Sequence, residues 1–153
     1  MSSPFERIAG RLAEAGLSEE VRRDEPLSRH TYYRIGGPAA LLVSPRSPEA
    51  LRAVENAAAE EGVPIHPIGL GSNFIALDEG FPGVVVKMTR LDLGIERLAE
   101  DRLRTGCGVA VSTLLRHATQ QGWGGLEFLT GVPGSMGGVV AMNAGTHLGE
   151  AKD

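Results

Sequence analysis

The sequence predicts a mixed α+β protein made of two small α/β lobes. Short apolar runs suited to strands alternate with amphipathic stretches suited to helices along the first half of the chain. Turn signals rich in glycine and proline then precede a β-branched run at residues 84–86. A length of 153 residues leaves room for one domain or for two lobes that share a core.

The N-terminal residues 1–30 are predicted to form one helix and a connector. Ser3, Pro4 and Glu6 match a capping box with proline at the first helical position, and apolar residues at helical spacing follow. Residues 18–30 are charged and contain a proline, which is typical of a connector.

The first lobe, residues 31–83, is predicted to alternate strands with one helix. Residues 47–49 read Ser-Pro-Glu and begin a helix that Gly62 ends. Residues 78–83 contain glycine and proline and are predicted to form a turn that closes the lobe. The predicted strands are residues 39–43, 65–68 and 74–77.

The second lobe, residues 84–153, is predicted to begin with the β-branched run. Ser112 is expected to cap a helix that ends at Gly122. From Trp123 onward, glycines punctuate apolar residues with few charges, a pattern typical neither of a linker nor of a core helix. The other predicted strands are residues 103–105 and 109–111.

Composition excludes several classes of function. A net charge of -4 offers no basic surface for nucleic acid or an anionic membrane, and no run approaches the roughly 20 apolar residues of a membrane-spanning helix. Cys107 is the only cysteine, so an internal disulfide and a cysteine-rich zinc cluster are excluded. The four histidines have no metal-binding spacing. We expect a cytoplasmic protein without a metal, nucleic-acid or membrane partner.

A glycine-rich loop follows the strand predicted at residues 65–68. It reads Gly69, Leu70, Gly71, Ser72 and Asn73. Its backbone N–H groups can converge on a diphosphate, with the serine and asparagine as neutral donors. A Rossmann motif needs a further glycine and a helix at this point, and a Walker loop needs a Gly-Lys pair; the chain has neither. A tight turn without a ligand is the alternative.

A second glycine-rich segment lies near the C-terminal end. Four glycines and a proline among small or apolar neighbours favour a stiff loop pressed against a flat apolar group, with close packing of two backbones as the alternative. A dinucleotide needs both a phosphate-binding loop and a thin apolar slot, so the two segments together favour a dinucleotide ligand. The segment comprises Gly131, Val132, Pro133, Gly134, Ser135, Met136, Gly137 and Gly138, and continues to Asn143, Ala144 and Gly145.

Two neighbouring residues carry alternatives of their own. Trp123 is suited to stack on a flavin or adenine ring, although an aromatic residue beside a glycine turn is more often part of a core. Glu127 stands alone in an apolar stretch and is suited to accept hydrogen bonds from loop N–H groups.

Four motifs together resemble the UDP-N-acetylenolpyruvoylglucosamine reductases, flavoenzymes of peptidoglycan precursor synthesis. Their order and spacing match from about Thr31 onward. The motifs are Tyr33-Arg34-Ile35-Gly36-Gly37-Pro38-Ala39, the 69–73 loop, the 131–138 segment and Met142-Asn143-Ala144-Gly145. The resemblance implies the FAD-binding fold of the vanillyl-alcohol-oxidase/PCMH type, with two α/β lobes of which the second is incomplete.

The resemblance also implies FAD as the cofactor. In that family the Gly-Ser-Asn loop meets the pyrophosphate, and the later glycine-rich segment lines the flavin. The implied FAD-binding residues are Gly69, Leu70, Gly71, Ser72, Asn73, Gly131, Val132, Pro133, Gly134, Ser135, Gly137, Gly138, Asn143, Ala144 and Gly145.

The implied reaction reduces an enolpyruvyl ether on a UDP-sugar, with NADPH as the hydride donor. The family's catalytic serine, arginine and glutamate are expected beyond Asp153, together with the substrate-binding domain, so no catalytic residue is assigned here. We expect the chain alone to hold FAD poorly and to be inactive as a reductase. Two alternatives remain open: an FAD subunit of a multicomponent dehydrogenase, and a non-catalytic nucleotide-binding module.

Overall fold

The chain divides into two units, Met1–Arg90 and Leu91–Asp153, in a computed structural model that describes residues 2–91 and 93–153. The predicted lobe boundary, between residues 83 and 84, falls inside a strand that spans Phe81–Lys87. That strand pairs with two other strands of the first unit, so the division comes after it rather than before it. Within the described residues, no helix combines the length and apolar character needed to cross a bilayer.

A four-stranded mixed sheet forms the centre of the first unit. Its strands are Val21–Pro26 (β1), Pro38–Val43 (β2), Ile65–Ile68 (β3) and Phe81–Lys87 (β4), in the spatial order β1-β2-β4-β3. β1 runs antiparallel to β2, whereas β2, β4 and β3 are parallel. The predictions for β2, β3 and the β-branched run in β4 are confirmed.

The connector predicted at residues 18–30 is wrong, because it contains β1. This edge strand exposes Arg22, Arg23 and Asp24, so its sequence lacks the apolar alternation of a half-buried strand. Backbone pairing with β2, from Val21 opposite Val43 onward, defines the strand instead.

Two helices cover one face of this sheet. The first, Pro4–Glu14 (α1), begins with the predicted capping box, in which Glu6 N donates to Ser3 Oγ at 3.1 Å and Ser3 N donates to Glu6 Oε2 at 2.7 Å. The second, Pro48–Glu60 (α2), is capped by Ser47, whose Oγ accepts from Ala50 N. The core between helices and sheet includes Ile8, Leu12, Leu41, Val43, Val54, Val84 and Val86.

Irregular backbone covers the opposite face of the sheet. The strand predicted at residues 74–77 is absent, because this apolar segment buries Ala76 among residues of the sheet instead of pairing along an edge. Leu77 O accepts a hydrogen bond from Gly37 N at 2.8 Å. The core on this side comprises Leu27, Ala39, Leu42, Ile68, Ala76 and Val85.

Three charged or polar side chains are packed on this second face. Glu25 Oε1 lies 2.9 Å from His30 Nε2, and His30 Nδ1 lies 2.8 Å from Lys87 Nζ. Burial raises the pKa of Glu25, but the hydrogen bond from His30 and the charges of Arg22 and Arg29 outweigh it and hold that pKa below its usual 4.5.

The second unit has shorter elements. Its strands are Ile95–Ala99 (β5), Arg102–Thr105 (β6), Gly145–Thr146 (β7) and Gly149–Glu150 (β8), paired as the hairpins β5-β6 and β7-β8. Its helices are Val111–Gln121 (α3) and Met136–Ala141 (α4). The core comprises Val109, Val111, Leu114, Leu129 and Val139.

Two predictions in this unit are confirmed and two are wrong. The strand at residues 103–105 and the end of α3 at Gly122 stand as predicted. The strand predicted at residues 109–111 and the cap predicted at Ser112 do not, because the helix begins two residues earlier, at Val111 with Ala110 at the N-cap. Ala110 also bridges Ser135, which fixes this helix start from outside the helix.

Substituting Gly37 tests the close packing over the second face of the sheet. An added Cβ would lie 2.0 Å from Asp78 O. We expect Gly37→Ala to lower the free energy of unfolding by about 1–3 kcal/mol, because the backbone must move to make room. Gly10→Ala, at an open position inside α1, is the control and should raise the free energy of unfolding by about 0.5–1 kcal/mol. Urea denaturation measures both, and equal stability of Gly37→Ala and wild type would contradict the packing.

The lowered pKa of Glu25 predicts a loss of stability in acid. A carboxylate whose pKa is lower folded than unfolded contributes stability above the unfolded value of 4.5, and this contribution is lost as pH falls through the folded value. The free energy of unfolding should therefore fall more steeply below pH 4.5 in wild type than in Glu25→Gln. The other carboxylates are present in both proteins, so their contributions cancel in the difference between the two free energies of unfolding. Parallel plots of that free energy against pH for wild type and Glu25→Gln would contradict the lowered pKa of Glu25.

Candidate functional site

The glycine-rich loop at residues 69–73 lies where the sequence placed it, directly after β3. Gly71 is buried with φ of +72°, and an added Cβ would lie 2.0 Å from His30 O. Gly71 O accepts a hydrogen bond from Tyr32 N at 3.0 Å. The loop is therefore held backbone to backbone against residues 30–32.

Apolar side chains around this loop are exposed to solvent. Leu70 is 38% exposed within the loop itself. The others, all in the first unit, are Tyr32, Tyr33, Ile35, Ile75 and Leu77, between 49% and 69% exposed. Exposed apolar side chains mark interaction sites in soluble proteins where they form one surface, and Tyr33, Ile35 and Leu70 belong to the first two sequence motifs.

The turn before β2 holds a strained residue. Arg34 has φ of +54°, an uncommon value for a side-chain-bearing residue. Thr31 Oγ1 donates to Ile35 O at 3.0 Å, and Ser28 N donates to Gly36 O at 3.2 Å, so both ends of the turn are fixed. Strain of this kind is found preferentially at ligand-binding and catalytic sites.

Lys87 lies beside the start of the glycine-rich loop, and the sequence analysis did not identify it. It pairs with Ile68, the last residue of β3, across the sheet. Burial lowers the pKa of Lys87 below its usual 10.5, and the charges of Arg22 and Arg90 lower it further, while Glu25 opposes them. The signal in the sequence was a lysine at the end of a β-branched strand, in a chain with only two lysines.

The second glycine-rich segment is pinned by residues 107–111 of its own unit. Met136 N donates to Val109 O at 2.8 Å, and Gly137 N donates to Cys107 O at 2.9 Å. Ser135 is only 2% exposed and forms the bridge to Ala110. These backbone donors serve the fold, so the alternative of close backbone packing describes this part of the segment.

Asn143 and Ala144 likewise make contacts within the unit. Asn143, at φ of +48°, donates from Nδ2 to Glu150 Oε2 at 2.8 Å and accepts at Oδ1 from Lys152 N at 3.0 Å. Ala144 O accepts from Ala151 N at 3.0 Å. These bonds join residues 143 and 144 to residues 150–152.

The rest of this segment presents a more open surface. Gly138 has room beside it, since an added Cβ would approach Ser135 Oγ only to 3.6 Å. Gly131 and Pro133 are exposed, and Val132 packs against the core. Large apolar side chains are also exposed here: Val140, Met142 and Leu148, between 59% and 72%.

The two segments predicted to share a dinucleotide therefore belong to different units. Residues 69–73 lie in the first, and residues 131–145 lie in the second. The structure describes each in its own unit, and their joint contact with one ligand stays a prediction.

The contacts of Glu127 and Trp123 distinguish between the roles that the sequence left open for them. Glu127 Oε2 accepts from Gly125 N at 2.8 Å, which confirms the predicted role in satisfying a loop N–H group. The Trp123 ring is half-buried, with the Arg97 guanidinium 5.2 Å from its centroid and the His117 ring at its edge. These contacts favour a structural role for Trp123 over ring stacking on a ligand.

Comparisons with known proteins identify the family. A family model described as "FAD binding domain" matches residues 39–153. A UDP-N-acetylenolpyruvoylglucosamine reductase of Geobacter sulfurreducens is 45% identical over 148 residues, which are 97% of this chain and 49% of that protein. The reductase of Moorella thermoacetica is 43% identical over 93% of this chain and 46% of its own length. The chain thus spans about half the length of the curated relatives it matches.

Solved structures show the same similarity. The crystal structure of UDP-N-acetylenolpyruvylglucosamine reductase from Thermus caldophilus matches with a TM-score of 0.68 and 33% identity, over 85% of this chain and 45% of that one. p-Cresol methylhydroxylase shares the fold at 14% identity and a TM-score of 0.61, over 80% of this chain and 26% of that one. The predicted fold and the resemblance drawn from the motifs are confirmed. The chain therefore belongs to the FAD binding domain family, with the fold of the vanillyl-alcohol-oxidase/PCMH type and FAD as its cofactor.

Proposed function

We propose that this chain is the FAD-binding part of a cytoplasmic UDP-N-acetylenolpyruvoylglucosamine reductase. The complete enzyme uses NADPH to reduce UDP-N-acetylglucosamine enolpyruvate to UDP-N-acetylmuramate, a step of peptidoglycan precursor synthesis. The observation that carries this proposal is 45% identity to the Geobacter sulfurreducens reductase across nearly the whole of this chain. The order of the motifs, from the Tyr33 turn to Gly145, also supports it.

The first unit offers a binding surface that fits a dinucleotide. The 69–73 loop follows a parallel strand, and Gly71 allows its backbone to approach residues 30–32 closely. Its backbone N–H groups and the side chains of Ser72 and Asn73 are of the kind that binds a diphosphate. Exposed apolar side chains around the loop suit the adenine and ribose rings. FAD, when bound, supplies the hydride-accepting and hydride-donating chemistry that links NADPH to the substrate.

The residues of the second glycine-rich segment fall into two groups, those that stabilise the fold of the unit and those that are accessible to a ligand. Ser135, Asn143 and Ala144 hold the segment in shape through bonds within the unit. Gly138 and the exposed Gly131 leave backbone accessible to a flat ring. We assign flavin contact to the accessible residues and a supporting role to the others.

Substrate binding and catalysis are assigned to other parts of the enzyme. About half of each curated relative's length lies outside its match to this chain. The catalytic serine, arginine and glutamate implied by the resemblance, with the groups that recognise the UDP-sugar, belong to that portion in this proposal. This chain's contribution is to bind the cofactor and to orient it.

A chimeric protein tests the proposed activity. The chain is joined to the C-terminal half of the Geobacter sulfurreducens relative, in the register of their alignment. We expect FAD-dependent oxidation of NADPH that requires UDP-N-acetylglucosamine enolpyruvate, because each half then supplies the groups that the other lacks. The unjoined chain is the control and should show no turnover. A folded, FAD-loaded chimera that ignores the substrate would refute the reductase assignment and favour a dehydrogenase subunit or a binding module.

Gly71→Ala tests the loop as part of the cofactor site. The added methyl must displace the loop from His30 O, so FAD affinity should fall by about tenfold or more. Gly62→Ala is the matched control, since Gly62 has a similar φ of +64° but nothing within 4 Å of an added Cβ. The quenching of flavin fluorescence on titration of the purified chain measures both affinities. Equal FAD affinities for the two variants would place the cofactor elsewhere.

A further inference from the structure

Three side chains from distant parts of the chain are joined by hydrogen bonds on the second face of the sheet. We call Glu25, His30 and Lys87 the relay. Glu25 lies on β1, His30 in the segment that covers the sheet, and Lys87 at the end of β4. The side chains of Glu25 and His30 are only 8% and 9% exposed. Burying charge is costly unless it is paired and hydrogen-bonded, so the members of the relay have to supply one another's hydrogen-bond partners.

One assignment of protons satisfies both contacts of His30. The Lys87 ammonium has donors only, so His30 Nδ1 must accept from it. The neutral imidazole then carries its proton on Nε2 and donates to the Glu25 carboxylate. The imidazole thus connects a partly buried cation to a buried anion, and its orientation is fixed from both sides.

Lys87 keeps donors beyond the one given to His30. An ammonium has three N–H groups, and among the described residues the hydrogen bond to His30 is the one that the structure assigns to Lys87. Two N–H groups therefore remain for solvent or a ligand. Because burial lowers the pKa of Lys87, an approaching anion would stabilise its charged form.

The position of Lys87 in the sheet places the ammonium and its further N–H groups near the glycine-rich loop. Lys87 pairs with Ile68, and the loop begins at the next residue. Lys87 projects from the same face of β4 as Val85, which is the face that the loop segment covers. His30 touches both partners, since its side chain holds Lys87 and its carbonyl oxygen packs against Gly71.

The charges near the relay are predominantly positive. Arg22 and Arg90 act on Lys87, and Arg22 and Arg29 act on Glu25, whose carboxylate is the one acidic group recorded as acting on Lys87 among the described residues. Within the part of the chain that the structure describes, one carboxylate therefore faces several cations. A diphosphate carries the negative charge that this surplus favours.

We propose that Lys87 binds the diphosphate of FAD together with the 69–73 loop, and that His30 and Glu25 are positioning residues that hold the ammonium in place. This inference rests on the proposed function, since it names a further contact of the same cofactor. The loop supplies neutral donors, whereas Lys87 supplies a full positive charge.

Replacing Lys87 separates a phosphate contact from a general structural role. The probes are ADP, which carries the diphosphate, and riboflavin, which has no phosphate. Lys87→Met should weaken binding of ADP and FAD by about ten- to a hundredfold, the loss expected for a charge-assisted hydrogen bond, and should leave riboflavin affinity unchanged. Lys152→Met is the matched control, because Lys152 is the other lysine of the chain and is paired with Glu150. Equal loss of ADP and riboflavin, or no loss of ADP, would overturn the proposal.

A double-mutant cycle tests the positioning residue. His30→Ala should weaken ADP binding in the wild-type background and have no further effect on ADP in the Lys87→Met background, because its role passes through the ammonium. A residue that only stabilised the fold would weaken ADP and riboflavin alike in both backgrounds. Additive effects on ADP would remove His30 from the proposal.

A measurement on the unsubstituted chain covers the case in which these variants do not fold. Lysine labelled with ¹³C at Cε gives two lysine signals, from Lys87 and Lys152. ADP should shift the Lys87 signal in proportion to saturation and leave the Lys152 signal in place. An unmoved Lys87 signal under saturating ADP would overturn the inference but leave the proposed function standing. Failure of both the wild-type chain and the chimera to bind FAD or ADP would overturn both.

Discussion

The contact between His30 O and Gly71 is the constraint on which the first unit's site depends. The segment after β1 and the loop after β3 meet there with no side chain between them. Because Tyr32 N also donates to Gly71 O, the two segments are joined by both packing and hydrogen bonding. A larger residue at position 71 would separate them, and the loop would lose its fixed place at the carboxyl end of the parallel strands. Ligands of α/β sheets are usually bound at this end.

The same face of the sheet has to accommodate charge. A helix there would have offered an apolar stripe, as α1 and α2 do on the opposite face. Irregular segments instead leave space for Glu25, His30 and Lys87 among buried apolar residues. Since even a partly buried ammonium without a partner is costly, the imidazole and the carboxylate stabilise a lysine beside the loop. An anion at the loop would complete the compensation.

Local signals predicted α1, α2, the C-terminal end of α3 and the position of the loop, because each is specified by adjacent residues, whereas α4 lies where the glycine-rich pattern predicted a stiff loop. The cap at Ser3, the cap at Ser47 and the stop at Gly122 act within one helical turn. β1 could not be predicted this way, since partners across the sheet define it and its exposed arginines give no apolar pattern. The strand predicted at residues 74–77 failed for the converse reason, because its apolar residues pack onto the sheet rather than along it.

The candidate site likewise contains one part that adjacent residues specify and one part that depends on residues far apart in the sequence. The 69–73 loop is visible as a motif, but the relay near it includes a hydrogen bond between residues 57 positions apart. Sheet register brings Lys87 beside Ile68, and no spacing rule in the sequence predicts that neighbourhood.

In the second unit the motif marked the right segment without showing which residues face outward. The resemblance implied Ser135 and Asn143 as ligand contacts, yet Ser135 is buried with its backbone bridged to Ala110 and the Asn143 side chain is hydrogen-bonded within the unit. Val140 and Met142 are the apolar side chains that the segment leaves exposed. A glycine-rich motif therefore specifies a backbone path, and the side chains that this path leaves exposed form the surface available to a ligand.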